Sequence, residues 1–387
     1  MTTQLSRRSL LRRLGAGATM SLGIAPLARA ASAERETSEP TVDVGDKTAG
    51  PVRLHKNESA FGPSAAVVAA IRAASASVVT RYPETADAML RRKLADLHRV
   101  SPDQIVLGCG SDDVLGMAIA AFGAGRKVVV ADPTYDTFVD CARRNGADVN
   151  AVPLRGDYTH DLEAMLTRAD ASTALVYVCN PNNPTGSLTR RRDLEAFIAK
   201  LPPSSYILMD EAYHHYVGGS SDYASFIDRP VNDPRVIVTR SFSTVHGLGG
   251  LRVGYAVASL DAAARMEATG FANNLNAVAA LAAIAALDDT DHVRGMARQN
   301  VNDRQEFANQ ANARMLRVVD SQANFVLLNT GRPAADMVAH FTKNGVLVAG
   351  PFRGFDKHIR VSLGSPNEMR EFWRVWDLMP ANHVMPM

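Results

Sequence analysis

The sequence has 387 residues, of which 46% are hydrophobic and 21% are charged, and its formal net charge is +2. A chain of this length and composition has room for a large hydrophobic core in one or two domains. The near-neutral charge balance argues against nucleic acid or an anionic membrane surface as a main partner. The three cysteines show no metal-ligand spacing, and we expect no metal site.

The first 30 residues differ from the rest of the chain. Arg7 and Arg8 lie in a basic region, a short apolar run rich in glycine and alanine follows at 14–26, and the stretch ends in Ala28–Ala30. This pattern predicts a signal peptide at 1–30, although an amphipathic or disordered extension is the alternative. The paired arginines favour the twin-arginine type, so we expect the twin-arginine export machinery as a partner and a periplasmic or extracellular location. The apolar run is too short for a comfortable membrane span, and we expect no membrane association after the signal is removed.

Short apolar runs alternate with helical patterns through the middle of the chain. Several of these runs are apolar throughout, which is typical of strands covered on both faces of a sheet. The runs lie at 104–107, 127–131, 174–179, 206–209, 236–239 and 253–258, and helical patterns lie between them at 113–122, 135–145 and 190–200. This alternation predicts an α/β fold with a mostly parallel sheet, in which ligand groups gather at the carboxyl ends of the strands.

The C-terminal third has a different pattern. After Asn273 the chain is predicted to be helical almost to Leu316. Three β-like runs at 323–328, 346–349 and 359–363 then precede a final helix at 367–378. We therefore expect a large domain with the mostly parallel sheet and a smaller α+β domain. The predicted boundaries are a linker at 31–50, an N-terminal segment of the small domain at 51–75, the large domain at 76–290 and the small C-terminal domain at 291–387.

Two motifs whose side chains could take part in binding or catalysis follow predicted strands. The first is NPNNPTG at 180–186, a rigid turn in which prolines fix φ and asparagine amides are available for hydrogen bonds. The second is DEAY at 210–213, which begins where the strand at 206–209 ends. A carboxylate at Asp210 would be costly to bury alone and is stabilised by a cationic partner, although a helix N-cap is the plainer interpretation.

Two further features suit an anion. The sequence GCGSDD at 108–113 joins a strand to a helix, where glycines permit a tight turn and the helix start offers free N–H groups. A plain helix cap explains this segment equally well. Arg252 lies in an otherwise apolar run and could make a bidentate contact with an anion, whereas an exposed surface arginine is the usual alternative.

These motifs occur in one order together with the segment RSFSTVHGLGGLRVGY at 240–255. The set resembles the fold-type-I pyridoxal-phosphate-dependent aminotransferases of class I/II, in particular the histidinol-phosphate aminotransferase-like group, over roughly residues 51–378. The resemblance implies aminotransferase fold type I, pyridoxal 5'-phosphate as cofactor bound by the large domain, and a homodimer. It also implies transamination of an amino acid or related amine with a 2-oxo acid.

The resemblance also assigns roles to individual residues. On the cofactor side it implies phosphate contacts from Ser111 and Asp112 (largely by backbone), Ser241, Ser243, Arg252 and a partner subunit's Tyr82, stacking by Tyr135, a ring-nitrogen contact from Asp210, and phenolic-oxygen contacts from Asn183 and Tyr213. On the substrate side it implies Asn57, Asn324 and Arg360. Arg360 would grip a substrate carboxylate or a comparable anion.

Position 244 departs from the family pattern, which is Ser-x-Ser-Lys followed by Gly-Leu-Arg-x-Gly. Ser241 lies three residues before Thr244 and Arg252 eight residues after it, so no shift of register restores a lysine. In the family this lysine forms a Schiff base with the cofactor aldehyde and then shuttles a proton, and a threonine hydroxyl can do neither.

The threonine leaves several interpretations open. The first is an aminotransferase whose activity is impaired or unconventional, or in which Thr244 is an engineered or aberrant change. The second is a non-catalytic exported protein that binds pyridoxal phosphate or its amine adducts, and the third is an unrelated α/β binding protein. Lys56 is the lysine expected near the site, although a tolerated polar residue is the plainer interpretation. His246 could carry protons or could simply fill a position that admits bulky aromatics.

Overall fold

The computed structural model describes residues 50–380 of the chain. The predicted signal peptide at 1–30 and the linker at 31–50, except for Gly50, lie outside the described residues. Among the described helices, none has both the length and the hydropathy that crossing a membrane would require.

The secondary structure alternates as the sequence predicts. The strands are β1 (Val52–Leu54), β2 (Ile105–Cys109), β3 (Lys127–Asp132), β4 (Asp148–Pro153), β5 (Thr173–Cys179), β6 (Tyr206–Asp210), β7 (Val236–Ser241), β8 (Val253–Val257), β9 (Arg317–Val318), β10 (Phe325–Asn329), β11 (Val346–Val348) and β12 (His358–Ser362). The α-helices are α1 (Ala65–Ser77), α2 (Glu84–His98), α3 (Ser111–Ala118), α4 (Asp136–Arg144), α5 (Leu162–Arg168), α6 (Arg191–Lys200), α7 (Leu260–Glu267), α8 (Ala277–Asp288), α9 (Thr290–Ala313), α10 (Ala334–Lys343) and α11 (Pro366–Asp377).

A seven-stranded sheet lies at the centre, in the order β2-β8-β7-β6-β5-β3-β4. Strand β8 is antiparallel to both of its neighbours, and the pairs formed by β3 to β7 are parallel. Every residue of β5 is buried, as its continuous apolar sequence predicts. Val176 packs in one core cluster with Leu90 of α2, while its neighbour Leu175 packs in a second cluster with Leu115 of α3. The sheet therefore has a hydrophobic core on each face, which confirms the predicted α/β fold class.

Two small sheets are built mainly from the C-terminal part of the chain. Strand β10 is antiparallel to β9 and β12, and β1 pairs in parallel with β11. Phe341 of α10 stacks on Phe372 of α11 with ring centroids 4.8 Å apart. The N-terminal strand thus pairs with a C-terminal one, as the predicted N-terminal segment of a small domain requires, and the domain boundaries themselves stay a prediction.

Several sequence-based boundaries differ from the structure. Gln104 ends a short 3-10 helix rather than beginning β2, and the helix predicted at 113–122 begins at Ser111 and continues as a π-helix from Ile119. Strand β4 was missed because it lies at the sheet edge with most of its residues partly exposed. The helical region after Asn273 is two helices, and Asp289 caps the second by accepting from the His292 backbone N–H.

The sheet brings the motifs to one edge. Strands β2, β3, β5, β6 and β7 run in the same direction, and each ends just before or within a segment that carries one of the motifs. Because β8 is antiparallel to its neighbours, its first residues lie at this same edge, so Arg252 reaches it from the opposite chain direction. The fold therefore gathers residues from distant parts of the sequence where parallel sheets commonly bind ligands.

Candidate active site

A cavity of about 560 Å³ opens at this edge of the sheet. Its lining residues are His55, Lys56, Asn57, Glu58, Ser111, Asp112, Tyr135, Thr137, Cys179, Asn183, Asp210, Ala212, Tyr213, Ser241, Ser243, Thr244, Gly249, Arg252 and Arg360. With the exceptions of Tyr82, Asn324 and His246, every residue predicted from the sequence to belong to the site lies on this wall.

One end of the cavity is formed by the start of α3 and by Arg252. A Cβ atom on Gly110, whose φ is +84°, would lie 2.3 Å from Arg252 Nη2, and a Cβ on Gly254 would lie 2.2 Å from the Ser111 backbone nitrogen. Both glycines are therefore needed for the close approach of the guanidinium and the helix N-terminus. A helix N-terminus beside an arginine is a corner of N–H donors suited to a phosphate group.

Arg252 is held in place by several acceptors. Its Nη2 donates to Asp112 at 2.9 Å, and its Nη1 donates to the Gly249 carbonyl at 3.2 Å and to the Ser243 hydroxyl at 3.4 Å. The Tyr135 hydroxyl donates to the other Asp112 oxygen at 2.8 Å. The Asp112 carboxylate thus connects the arginine to the aromatic ring, and both are fixed before any ligand binds.

Asp210 lines the cavity at the end of β6, with only 3% of its surface exposed. Its carboxylate accepts from the Tyr177 hydroxyl at 2.8 Å and from the Ala212 backbone N–H at 3.1 Å. Burial outweighs these hydrogen bonds and raises the pKa of Asp210 to about 6. A cationic ring nitrogen beside this carboxylate would favour its charged form.

Tyr213, which also lines the cavity, binds two side-chain amides. Its hydroxyl accepts from Asn57 Nδ2 at 2.9 Å and from Asn183 Nδ2 at 3.2 Å. Burial raises the pKa of Tyr213, so the hydroxyl keeps its proton near neutral pH. Because both amides donate to the oxygen, the hydroxyl proton is free to be donated to a ligand oxygen.

Arg360 is a buried cation on the cavity wall. It donates through Nη1 to Asn183 Oδ1 and through Nη2 to the His55 carbonyl at 2.7 Å, whereas its buried Nε has no hydrogen-bond partner within residues 50–380. Burial lowers the pKa of this guanidinium. An arginine with an unsatisfied N–H and no carboxylate partner in the described chain can bind the carboxylate of a ligand.

Asn57 is fixed by residues far away in the sequence. Its backbone N–H donates to the Ser362 hydroxyl at 2.8 Å, and its carbonyl accepts from Asn324 Nδ2 at 2.9 Å. Asn324 does not line the cavity and instead holds the Asn57 carbonyl, and its expected substrate contact stays a prediction. Tyr82 is 79% exposed and lies outside the cavity of its own chain, and its contact with a partner subunit stays a prediction.

Thr244 lies on the cavity wall with 6% of its surface exposed, and its hydroxyl donates to the Ala212 carbonyl at 3.0 Å. His246, for which the sequence left open a role as proton carrier, does not line the cavity. Its ring packs against Phe242 and His215 at centroid distances of 4.9 and 5.2 Å, and burial lowers its pKa to about 4. His246 therefore fills core space, as the plainer interpretation holds.

Two contributors were not found from the sequence. Tyr177 supports Asp210 from within β5, and a signal existed because a tyrosine in a fully buried strand needs a partner for its hydroxyl. Ser362 supports Asn57, but a serine at the end of a strand more than 300 residues away in sequence gives no such signal.

Known proteins resemble this chain over most of its length. Residues 49–375 match the family model for aminotransferase class I and II. Histidinol-phosphate aminotransferase from Symbiobacterium thermophilum is 37% identical over 325 residues, 83% of this chain and 88% of the relative. The enzyme of the same name from Bacillus subtilis is 33% identical over 322 residues, covering 83% and 89%.

Solved structures agree with the sequence relatives. A putative histidinol-phosphate aminotransferase from Erwinia carotovora atroseptica superposes with a TM-score of 0.79 at 30% identity, covering 84% of this chain and 94% of that one. Histidinol-phosphate aminotransferase from Sinorhizobium meliloti, solved in complex with pyridoxal-5'-phosphate, gives a TM-score of 0.78 at 29% identity, covering 84% and 91%.

The fold and the site define a pyridoxal-phosphate-dependent transferase of fold type I. The chain belongs to the class I and II aminotransferases, and its similarity is to the histidinol-phosphate aminotransferases within them. The predicted family, enzyme class and cofactor are therefore confirmed.

Proposed function

We propose that the cavity binds pyridoxal 5'-phosphate and an amino acid or related amine, and that the chain transfers the amino group to a 2-oxo acid slowly or by an unconventional route. The proposal rests mainly on one observation: the buried carboxylate of Asp210 and the N–H donors at Arg252 and the start of α3 open onto the same cavity.

The corner beside α3 suits the cofactor phosphate. Arg252 would supply a charge-assisted contact, Ser241 and Ser243 would donate hydroxyl groups, and Ser111 and Asp112 would donate backbone N–H groups. The Asp112 carboxylate now binds Arg252 at 2.9 Å, so phosphate binding requires that Arg252 be shared between the carboxylate and the phosphate.

The remaining wall suits the ring. Asp210 would face the ring nitrogen, Tyr213 and Asn183 the phenolic oxygen, and Tyr135 one ring face. When bound, the cofactor supplies an electron sink for the bonds at the substrate's amine-bearing carbon. A protonated ring nitrogen would lower the raised pKa of Asp210 and keep the carboxylate charged, which in turn favours the protonated ring.

The substrate side is defined by Arg360 and Asn57. Arg360 would bind the carboxylate of the amino substrate, and then that of the 2-oxo acid, through its unpartnered Nε. Asn57 is positioned through Ser362 and Asn324, so this side is preorganised for binding.

Thr244 limits the chemistry that can occur after binding. Its hydroxyl is engaged with the Ala212 carbonyl and carries no amine, so it can neither bond covalently to the cofactor nor move a proton as lysine does. Proton transfer by a positioned side chain typically contributes a hundred- to ten-thousand-fold in rate, so we expect residual turnover to be lower by roughly that factor.

The same observation favours a second candidate function. A chain that keeps the binding wall but lacks the amine at position 244 could be a non-catalytic protein that holds pyridoxal phosphate or its amine adducts. Purified protein mixed with pyridoxal phosphate and a panel of amino acids separates the two functions. Catalytic release of 2-oxo acids supports the aminotransferase, whereas spectral changes of one equivalent without turnover support the binding protein.

We also propose a homodimer and export. Tyr82 is highly exposed, and in a dimer it would be available to contact the phosphate in the neighbouring subunit. Arg7 and Arg8 would direct export by the twin-arginine route, which carries folded proteins and permits cofactor loading beforehand. Sedimentation of the purified protein tests the dimer, and cell fractionation of an Arg7→Lys/Arg8→Lys variant tests the export signal.

A further inference from the structure

We propose that Lys56 supplies the amine that bonds to the cofactor aldehyde in place of a residue at position 244. This inference rests on the proposed binding of pyridoxal phosphate in the cavity. It assigns a chemical role to a residue of the N-terminal segment that lines the cavity.

Lys56 is the sole lysine on the cavity wall among the residues that the structure describes. The other lysines of residues 50–380 lie elsewhere: Lys93, Lys127, Lys200, Lys343 and Lys357. Lys93 pairs with Asp288, and Lys127 donates to Asp170 at 2.7 Å, so these two amines are also engaged. An amine within reach of a ligand in this cavity can therefore come from Lys56 alone in the described chain.

The Lys56 amine is not neutralised by a neighbouring acid. No carboxylate within residues 50–380 pairs with it. Glu58, the nearest acid in the sequence and also part of the cavity wall, pairs with Arg53 instead. The amine is thus available to a ligand, and its exposure to water gives its proton a route to solvent.

The main chain on both sides of Lys56 is fixed against the site. The His55 carbonyl accepts from Arg360 Nη2 at 2.7 Å, and the Asn57 N–H donates to Ser362 at 2.8 Å. Asn57 Nδ2 donates to the Tyr213 hydroxyl at 2.9 Å, the group proposed to meet the phenolic oxygen of the cofactor. The aldehyde of pyridoxal phosphate is attached to the ring carbon next to the one that bears this oxygen. Lys56 therefore lies on the cavity wall between two residues whose main chains are held at the site, next to the residue that binds the Tyr213 hydroxyl.

The chemistry requires no further reactant. The ammonium of Lys56 first releases a proton to water, and the neutral amine then attacks the aldehyde carbon. A carbon–nitrogen bond forms, the aldehyde oxygen leaves as water, and an imine remains. An amino substrate can displace Lys56 by the same exchange, which restores the free lysine.

Borohydride reduction followed by peptide mapping tests this role. The full chain is loaded with pyridoxal phosphate, reduced and digested, and the modified lysine is identified by mass spectrometry. We expect the pyridoxyl group on Lys56 and its loss in Lys56→Arg, which keeps the charge but cannot form the imine. Lys343→Arg, on the exposed surface of α10, is the matched control and should leave the labelling of Lys56 unchanged.

The outcomes separate this inference from the function on which it rests. Labelling of Lys56 at one equivalent in protein that binds the cofactor by calorimetry supports it. Calorimetric binding without any labelled lysine, or with the label distributed equally over several surface lysines, would overturn the role of Lys56 and leave the proposed function standing. No calorimetric binding at all would overturn both.

Discussion

Substitution of Asp210 by asparagine should make the cofactor-free protein more stable and the cofactor more weakly bound. Burial raises the pKa of Asp210 from 3.8 to about 6. Above that pH the buried group is charged, and this charge lowers the free energy of unfolding. Asparagine keeps the size of the side chain and resembles the neutral acid. It therefore removes the cost of the buried charge together with the charge that the ring nitrogen would require.

The sign and size follow from proton linkage. Between the unfolded value of 3.8 and the folded value of about 6, the folded state binds more protons than the unfolded state, so the free energy of unfolding falls as pH rises. A difference of about two pKa units lowers the free energy of unfolding by about 3 kcal/mol in total as pH rises. Roughly half of this decrease occurs above pH 5. That is a sizeable part of the stability of a typical domain.

Urea unfolding of cofactor-free protein at about pH 5 and about pH 7.5 measures the effect. We expect the stability advantage of Asp210→Asn over the parent to grow by about 1.4 kcal/mol between these conditions. Asp336→Asn, at an exposed position of α10, controls for the loss of one carboxylate and should show no such growth. An advantage of Asp210→Asn that is the same at both pH values would refute the reasoning about the buried carboxylate.

Three other substitutions test the remaining parts of the site. Thr244→Lys should bond covalently to pyridoxal phosphate, so that borohydride fixes the pyridoxyl group at position 244, and should raise transamination by roughly a hundred- to ten-thousand-fold; no label at position 244 would contradict the placement of Thr244. Arg252→Ala should weaken cofactor binding about 10- to 100-fold in calorimetry, through the loss of a charged hydrogen bond of about 1.5–3 kcal/mol; undiminished affinity would remove Arg252 from the phosphate site. Gly254→Ala should lower stability to urea by about 1–3 kcal/mol, because its Cβ would lie 2.2 Å from the Ser111 backbone nitrogen; a neutral effect would show that β8 and α3 can separate.

The central sheet was largely predictable because its strands are buried on both faces. Strand β5 reads as a continuous apolar run, and its predicted start differs from the structure by one residue. Strand β4 was not predictable in this way, since a partly exposed edge strand mixes polar and apolar residues and leaves no clear pattern.

The cavity wall was predicted where short motifs directly follow strands. Asn183, Asp210 and Arg252 come together because parallel strands end at one edge and β8 begins there. Contacts between distant segments were beyond the sequence: Ser362 holds Asn57, and Arg360 holds the His55 carbonyl. Such pairs depend on how the N-terminal segment packs against β12, which local patterns do not encode.

Calorimetric titration of the cofactor-free protein with pyridoxal phosphate, and separately with pyridoxal, tests the central claim most directly. We expect one site per chain for pyridoxal phosphate, with pyridoxal bound at least about tenfold more weakly because it lacks the phosphate that Arg252 and the start of α3 would hold. Equal affinity for the two compounds, or no binding of either, would contradict it.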